Sequence, residues 1–218
     1  MNGSASAVRP RWAVRAGAIY AIADVDALHP LPAPAAVAEM AAAGIRSIQL
    51  RAKKLPGDEL YRVAEGCCEA LAGSGAELWI DDRADVAALL PVAGLHLGQT
   101  DLPPSAARRV LGGAVWIGLS SHGKKQVIAA DAEPEVDVIA VGPIFPTTGK
   151  ERPGPAVGLA LLRWARVRTR KPLIAIGGID ADNVAAVLAA GADRAAVLGA
   201  VCRGAVGENC RRLLAAVA

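Results

Sequence analysis

Polar and charged residues follow short apolar segments along this chain, in types and spacings suited to binding phosphate and a metal ion. The segment QLRAKK (49–54) spaces Gln49, Arg51 and Lys53 two residues apart. On a strand, residues at this spacing point to the same face. Arg51 would offer a planar fork to a phosphate, and Lys53 a compact point charge. A solvated basic strand end is an equal alternative for this segment taken alone.

Acidic residues follow two further apolar segments. IDDRAD (80–85) contains Asp81 and Asp82, and GQTD (98–101) ends in Asp101. On neighbouring strand ends, Asp82 and Asp101 would lie close enough to share one Mg²⁺, which takes one or two carboxylates together with phosphate oxygens and waters. The alternative is that each aspartate caps the helix that follows it. The pairing of the two acids favours the metal.

The segment GPIFPTTGKERPGP (142–155) is long for a connection between a strand and a helix. Long ordered loops in compact domains are often functional lids. We expect Thr147 and Lys150 to close over a diphosphate. The alternative is a disordered loop, rich in glycine and proline, with an incidental lysine.

Glycines mark a second candidate phosphate site late in the chain. IAIGGID (174–180) ends an apolar run in Gly177 and Gly178, and Gly199 precedes the last predicted helix. Backbone N–H groups at these positions would bind a phosphomonoester. The order of the segments supports this, because barrels of parallel strands build a phosphate site after their seventh and eighth strands.

The histidines and Ser120 give weaker signals. His122 in GLSSHG has the chemistry of a general base, but a surface or capping role is favoured for it, and more strongly for His96 and His29. Ser120 has no adjacent pattern of Asp and His, so a nucleophilic triad is not expected.

Eight apolar segments containing β-branched residues alternate with eight Ala- and Leu-rich segments of helical spacing. Near-continuous apolar strands indicate a parallel sheet covered on both faces. Eight such units predict a (β/α)8 barrel, with its site at the C-terminal ends of the strands. The rival is a doubly wound sheet, whose glycine-rich loop is missing after the first strand. The predicted strands are 17–24, 46–52, 76–82, 94–99, 115–121, 136–143, 172–178 and 194–201, and the predicted helices are 33–43, 57–72, 83–90, 104–111, 123–131, 157–168, 181–190 and 207–217.

Composition narrows the class of protein. We expect one domain over 1–218, with a flexible extension at 1–14. A net charge of +3 and seven aromatic residues argue against nucleic-acid binding. The chain has no uninterrupted apolar run of about 18 residues and no apolar leader segment, so we expect no membrane span and a cytoplasmic location. Its four cysteines form no CxxC pair and indicate reduced thiols in a reducing compartment.

The segments QLRAK, IDDRAD, GLHLGQTD, IGLSSH, GPIFPTTGK and AIGGI, in this order, resemble thiamine phosphate synthases over nearly the whole chain. The resemblance implies a (β/α)8 barrel that joins hydroxymethylpyrimidine diphosphate to thiazole phosphate and releases pyrophosphate. It also implies Mg²⁺, a homodimer and a pyrimidine carbocation in the ring-joining step.

Carried over by motif, the resemblance assigns the diphosphate, the metal, the pyrimidine and the thiazole phosphate to separate groups of residues. Ser120, Lys150 and Arg51 are implied to take part in the reaction itself. Asp82 and Asp101 are implied to bind Mg²⁺. The residues implied to bind substrate are Gln49, Arg51, Lys53, Asp81, Gln99, Ser120, Thr147, Lys150, Gly178 and Gly199.

The sequence departs from the family pattern at several positions. Asp81 stands where the family often has Asn, which adds a negative charge beside the metal. Gly149 replaces the second threonine of Thr-x-Thr-Lys, and Gly199 replaces a frequent serine. The first strand ends in IAD, without the threonine of the family's common TD pair. These changes bear on substrate affinity more than on the type of reaction.

Two other functions stay open. The first is a thiazole tautomerase, a related barrel that would need a proton-transfer residue such as His122. A tautomerase does not need a site for a diphosphate and a metal, so Arg51, Lys53, Asp82 and Asp101 favour the synthase. The second is a non-catalytic sensor of thiamine precursors, supported only by the altered TTGK loop.

Overall fold

The computed structural model describes residues 17–147 and 154–218, which form a closed barrel of eight parallel strands. Each strand pairs with the next along the chain, and the first pairs with the eighth. The predicted (β/α)8 fold is therefore confirmed. The predicted extension at 1–14 lies outside the described residues. The strands are β1 Ile19–Asp24, β2 Ser47–Arg51, β3 Glu77–Asp81, β4 Gly94–Leu97, β5 Trp116–Ser121, β6 Val138–Val141, β7 Leu173–Ile176 and β8 Arg194–Val197.

Helices follow every strand and cover the outside of the barrel. They are α1 Val25–Leu28, α2 Ala33–Ala42, α3 Gly57–Leu71, α4 Ala84–Ala87, α5 Pro104–Leu111, α6 Lys124–Ala132, α7 Gly158–Arg166, α8 Val184–Ala189, α9 Gly199–Cys202 and α10 Val206–Ala215. No helix among the described residues has both the length and the apolar character that crossing a membrane requires.

The predicted element boundaries are wrong at several places. The eighth strand was predicted over 194–201, but β8 ends at Val197 and the chain turns into α9 at Gly199. A run of small apolar residues suits a buried strand or a buried helix, so its composition does not mark this change. The helix predicted over 83–90 is a single turn, Ala84–Ala87. The turn α1 was not predicted, although Asp24 caps it by accepting a hydrogen bond from the Ala27 N–H at 3.0 Å.

The core has two parts, one between the barrel and the helices and one inside the barrel. Alternate residues of each strand face outward and pack against helices, as Ile48 and Leu50 do. Inside, Tyr20 and Trp79 pack edge to face, with ring centroids 5.7 Å apart. Gly94 leaves room for the Trp79 ring, because a Cβ at Gly94 would overlap that ring. Trp79 thus fills the barrel below the layer of polar side chains.

All four cysteines lie within the described residues and are free thiols, as the sequence predicts. Cys67, Cys202 and Cys210 are buried, and burial is the main reason why their pKa values rise, to about 12, about 11 and about 12. Protonated buried thiols are poor nucleophiles. These cysteines therefore belong to the packing of the fold.

Candidate active site

The C-terminal ends of β1, β2 and β3 bring charged side chains together at one mouth of the barrel. Asp24 pairs in register with Arg51 across β1 and β2, and the Asp24 carboxylate forms an ion pair with the Arg51 guanidinium. Both residues end their strands and point inward, because strand residues alternate between the two faces. Asp24 is buried. The pair therefore forms one wall of the mouth.

Asp81, at the end of β3, gathers the three polar side chains of the β2 segment. Gln49 donates a hydrogen bond from Nε2 to Asp81 Oδ1 at 2.7 Å. Arg51 Nε lies 3.7 Å and Lys53 Nζ 3.4 Å from Asp81 Oδ2. The predicted alignment of Gln49, Arg51 and Lys53 is thus what the structure has. The three side chains meet at one carboxylate.

Asp82 adopts a left-handed backbone conformation, with a φ of +62°. This region is uncommon for residues other than glycine, although Asp tolerates it better than most. Its N–H donates to the His96 carbonyl oxygen at 2.8 Å, which fixes the turn after β3. The turn directs the Asp82 carboxylate toward Lys53, with which it forms an ion pair, and into hydrogen-bonding contact with Asp101. Uncommon backbone conformations of this kind cluster at functional sites.

The pKa values of the two acids Asp82 and Asp101 are shifted in opposite directions. Burial, followed by the nearby charge of Asp81 and the hydrogen bond with Asp101, raises the pKa of Asp82 to about 6, against the opposing effect of Lys53. The pKa of Asp101 is lowered, because the hydrogen bonds from Asp82 and from the Gly98 N–H outweigh the effect of burial. Below a pH of about 6, and without a divalent metal, Asp82 therefore holds a proton that the metal would displace.

This pair of carboxylates suits Mg²⁺. The metal takes one or two protein carboxylates and completes its shell with phosphate oxygens and waters. Asp82 and Asp101 are two oxygen donors in contact at the open end of the barrel. Within 17–147 and 154–218, no group of three or more His, Cys, Asp or Glu side chains is arranged to hold a metal, so an all-protein cage for another ion is not formed there.

Ser120, at the end of β5, is held from two sides by residues of the β4 segment. Its Oγ shares a hydrogen bond with His96 Nε2 at 2.9 Å, and its carbonyl oxygen accepts from Gln99 Nε2 at 2.6 Å. His96 and Ser120 are buried. Gly118 makes this possible, because a Cβ there would lie 2.8 Å from His96 Nδ1. The structure thus holds Gln99 against Ser120, and its contact with substrate stays a prediction.

The opposite half of the mouth is built from backbone. Gly177 and Gly178 follow β7 with φ values of +102° and +66°. A Cβ at Gly178 would lie 2.7 Å from both Phe145 Cβ and the Pro146 carbonyl oxygen. The Phe145 N–H donates to the Gly177 carbonyl oxygen at 3.0 Å. The two glycines therefore let the loops after β6 and β7 pack main chain against main chain.

Three further predicted site residues are Thr147, Lys150 and Gly199, of which the structure describes the first and the last. Thr147 is half-buried at the end of the described part of the loop after β6, and Lys150 lies outside the described residues, as does the predicted lid around it. Gly199 begins α9, and a Cβ there would have no neighbour closer than 3.9 Å. Gly199 lies two residues after the end of β8, which is consistent with its predicted place at the mouth.

His122 lies beside the charged cluster rather than within it. Its Nδ1 is 2.6 Å from the Gly142 carbonyl oxygen, which assigns the ring proton to Nδ1. The backbone N–H of His122 donates to Gln126 Oε1. It lines an open cleft of about 500 Å³ together with Lys124 and Trp164. The favoured capping or surface role of His122 agrees with these contacts.

His96 is the site residue that sequence reasoning missed. The sequence favours a surface or capping role for it, and this is wrong, because His96 is buried against Ser120. One signal was present, because in GLHL the residue between Leu95 and Leu97 has the inward-facing parity of a strand whose leucines pack outward. Asp24 has the same parity in IYAIAD.

Comparisons with known proteins agree with this geometry. A family model described as "Thiamine monophosphate synthase" matches residues 19–201. A thiamine-phosphate synthase of Koribacter versatilis is 41% identical over 184 residues, covering 83% of this chain and 86% of that protein. One from Methanoculleus marisnigri is 44% identical over 169 residues and covers 78% of each chain.

The fold of a solved relative is also similar. The structure of thiamine phosphate pyrophosphorylase from Pyrococcus furiosus has a TM-score of 0.83 to this chain at 28% identity. The match covers 94% of this chain and 98% of that one. The chain belongs to the thiamine monophosphate synthase family.

Proposed function

We propose that the protein is an Mg²⁺-dependent thiamine phosphate synthase, which joins hydroxymethylpyrimidine diphosphate to thiazole phosphate and releases pyrophosphate. The observation that carries this proposal is one cluster of charges at the mouth. In it Arg51 and Lys53 share Asp81, and Lys53 also pairs with Asp82, which lies beside Asp101. A diphosphate carries several negative charges, and such a substrate needs cations from the protein and from a metal. Family membership supplies the identity of the two substrates.

The diphosphate is proposed to lie between the end of β2 and the loop after β6. Arg51 would hold it with two parallel hydrogen bonds and Lys53 with a point charge. Lys150 is proposed to reach the same group from the loop. Asp82 and Asp101 would hold Mg²⁺, which when bound supplies positive charge to the leaving diphosphate.

The chemistry needs neither a nucleophilic side chain nor a general base. The C–O bond between the pyrimidinylmethyl group and the diphosphate breaks, and its electron pair leaves with pyrophosphate. The thiazole nitrogen then forms the new C–N bond with its lone pair. Arg51, Lys53 and Lys150 stabilise the charge that develops on the leaving group, which is an effective form of catalysis in a partly buried site.

The pyrimidine and thiazole ends are proposed to be held by less charged groups. The pyrimidine side would be lined by Gln49, Gln99 and Ser120. The hydroxyl of Ser120 would donate a hydrogen bond to the leaving group. The thiazole phosphate would be bound by Thr147 and by backbone N–H groups at Gly178 and Gly199.

The proposal is tested by mixing the protein with both substrates and following release of pyrophosphate, with Mg²⁺ and with EDTA. We expect release that depends on Mg²⁺ and equals the thiamine phosphate formed. Formation of thiamine phosphate at the same rate in EDTA would refute the proposed role of Mg²⁺. Absence of both products would refute the synthase function. The tautomerase would then be tested by measuring thiazole isomerisation by the wild type and by His122→Ala.

A cytoplasmic location and a homodimer are part of the same proposal. The family relation and the reduced state of the four cysteines support the location. Sedimentation of the purified protein distinguishes a dimer from a monomer.

A further inference from the structure

Asp81 is the acid at the mouth whose role the proposed reaction leaves unassigned. Asp24 caps α1, and Asp82 and Asp101 form the pair suited to Mg²⁺. Asp81 has no helix to cap: α4 begins three residues later with Arg83 as its N-cap. The Asp81 side chain is only 9% exposed, so its charge is held inside the site.

The contacts of Asp81 are those that an anionic substrate would make. Its Oδ1 accepts from Gln49 at 2.7 Å, and its Oδ2 lies 3.7 Å from Arg51 Nε and 3.4 Å from Lys53 Nζ. Gln49, Arg51 and Lys53 are the side chains proposed to hold the pyrimidine diphosphate. A single carboxylate therefore lies against all three groups, in addition to the closer pairs that Arg51 forms with Asp24 and Lys53 with Asp82.

We propose that Asp81 is an internal counter-anion, which occupies the cationic site between turnovers and weakens the binding of pyrophosphate. The inference rests on the proposed function, because it takes the diphosphate to bind where Arg51 and Lys53 lie. When the diphosphate binds, it must replace Asp81 as the partner of Arg51 and Lys53. When pyrophosphate leaves, both side chains pair with Asp81 again. The measured affinity is then the difference between two sets of charge-assisted contacts.

The electrostatic reason is direct. Opposite charges within about 4 Å attract strongly in a partly desolvated site, so each cation loses part of its attraction for the diphosphate while Asp81 remains charged. An asparagine at this position would keep an acceptor oxygen for Gln49 Nε2 without the charge. This chain is thus expected to bind pyrophosphate less tightly than a variant with a neutral side chain there.

The experiment is calorimetric binding of inorganic pyrophosphate to wild type and to D81N, once in EDTA and once with saturating Mg²⁺. We expect the dissociation constant of D81N to be at least roughly tenfold lower in both media, equivalent to about 1.4 kcal/mol. Thermal unfolding verifies that D81N is folded, and D81S provides a second neutral replacement. A damaged site would bind pyrophosphate more weakly, so a gain in affinity is not a general effect of misfolding.

Asp26→Asn is the matched control. Asp26 lies in α1 at the same mouth and forms an ion pair with Lys54 at 3.0 Å. Its replacement removes the same charge but leaves Arg51 and Lys53 with their partners. An equal gain in D26N, or an unchanged or weaker affinity in D81N and D81S, would overturn the role of Asp81. No binding of pyrophosphate to the wild type in either medium would instead refute the diphosphate site itself.

Discussion

The two halves of the barrel mouth are built by different means. Around β2 to β4, the site consists of side chains with full charges, among them Arg51, Lys53 and Asp82. Around β6 to β8, it consists of main chain, with Gly177 and Gly178 packed against the loop that contains Phe145. The first half suits a diphosphate with a metal ion. The second suits a phosphomonoester bound by N–H groups.

This difference predicts how substitutions act in each half. Charged side chains at a strand end can be removed without disturbing the backbone, so their loss should affect turnover more than folding. The glycines hold loop conformations that side chains would prevent, so their replacement should affect folding and substrate binding together. The predictions below test this distinction, beginning with the largest effect.

Replacement of either a cation or a proposed metal ligand in the charged half should slow the reaction most. We expect Lys53→Ala and Asp82→Ala each to lower kcat by about 10²–10³ or more, because each removes charge stabilisation of the leaving group. Lys54→Ala and Asp85→Ala are the controls, since both side chains are exposed and lie outside the cluster. Rates of thiamine phosphate formation and thermal unfolding are the measurements. Full activity in either variant would disprove the assignment of the metal and diphosphate.

Metal affinity in the charged half should depend on pH with a definite sign. The pKa of Asp82 is raised to about 6, so protonated Asp82 predominates below that pH and must lose its proton when Mg²⁺ binds. We expect the dissociation constant for Mg²⁺ to rise about tenfold per pH unit below 6 and to level off above it.

Calorimetry in buffers of different ionisation enthalpy counts the protons released. Close to one proton should be released per Mg²⁺ at pH 5 and almost none at pH 8. An affinity independent of pH between 5 and 8 would show that Asp82 is not a ligand.

Within the backbone half, two glycines should behave differently. Gly178→Ala introduces a Cβ 2.7 Å from Phe145 Cβ at a φ of +66°, whereas Gly199→Ala introduces one at an ordinary contact distance of 3.9 Å from Arg203 Cζ. We expect Gly178→Ala to lower the free energy of unfolding by about 2 kcal/mol and to raise KM for thiazole phosphate. Gly199→Ala should change stability by less than about 0.5 kcal/mol. Denaturant unfolding and substrate kinetics measure both, and equal effects would remove the proposed distinction.

How far the sequence predicts each half also differs. The alternation of apolar and helical segments predicts the barrel, and the spacing in QLRAKK and IDDRAD predicts which side chains converge, because strand parity and parallel direction fix both. The contact between His96 and Ser120 is not predictable in this way. It depends on the absence of a side chain at Gly118, on a neighbouring strand, and on the barrel register. The boundary between β8 and α9 is missed because small apolar residues suit either structure.

The smallest expected effect lies where the two halves meet, at Ser120. His96 Nε2 holds the Ser120 hydroxyl at 2.9 Å, so loss of the imidazole should cost about one hydrogen bond, roughly 1 kcal/mol or fivefold in kcat. A double-mutant cycle of His96→Leu and Ser120→Ala tests this. If His96 acts through Ser120, its replacement has no further effect on kcat once Ser120 is alanine, and His96→Gln, which keeps a donor, restores part of the rate in the presence of Ser120. Additive losses would instead assign His96 a contact of its own with the substrate.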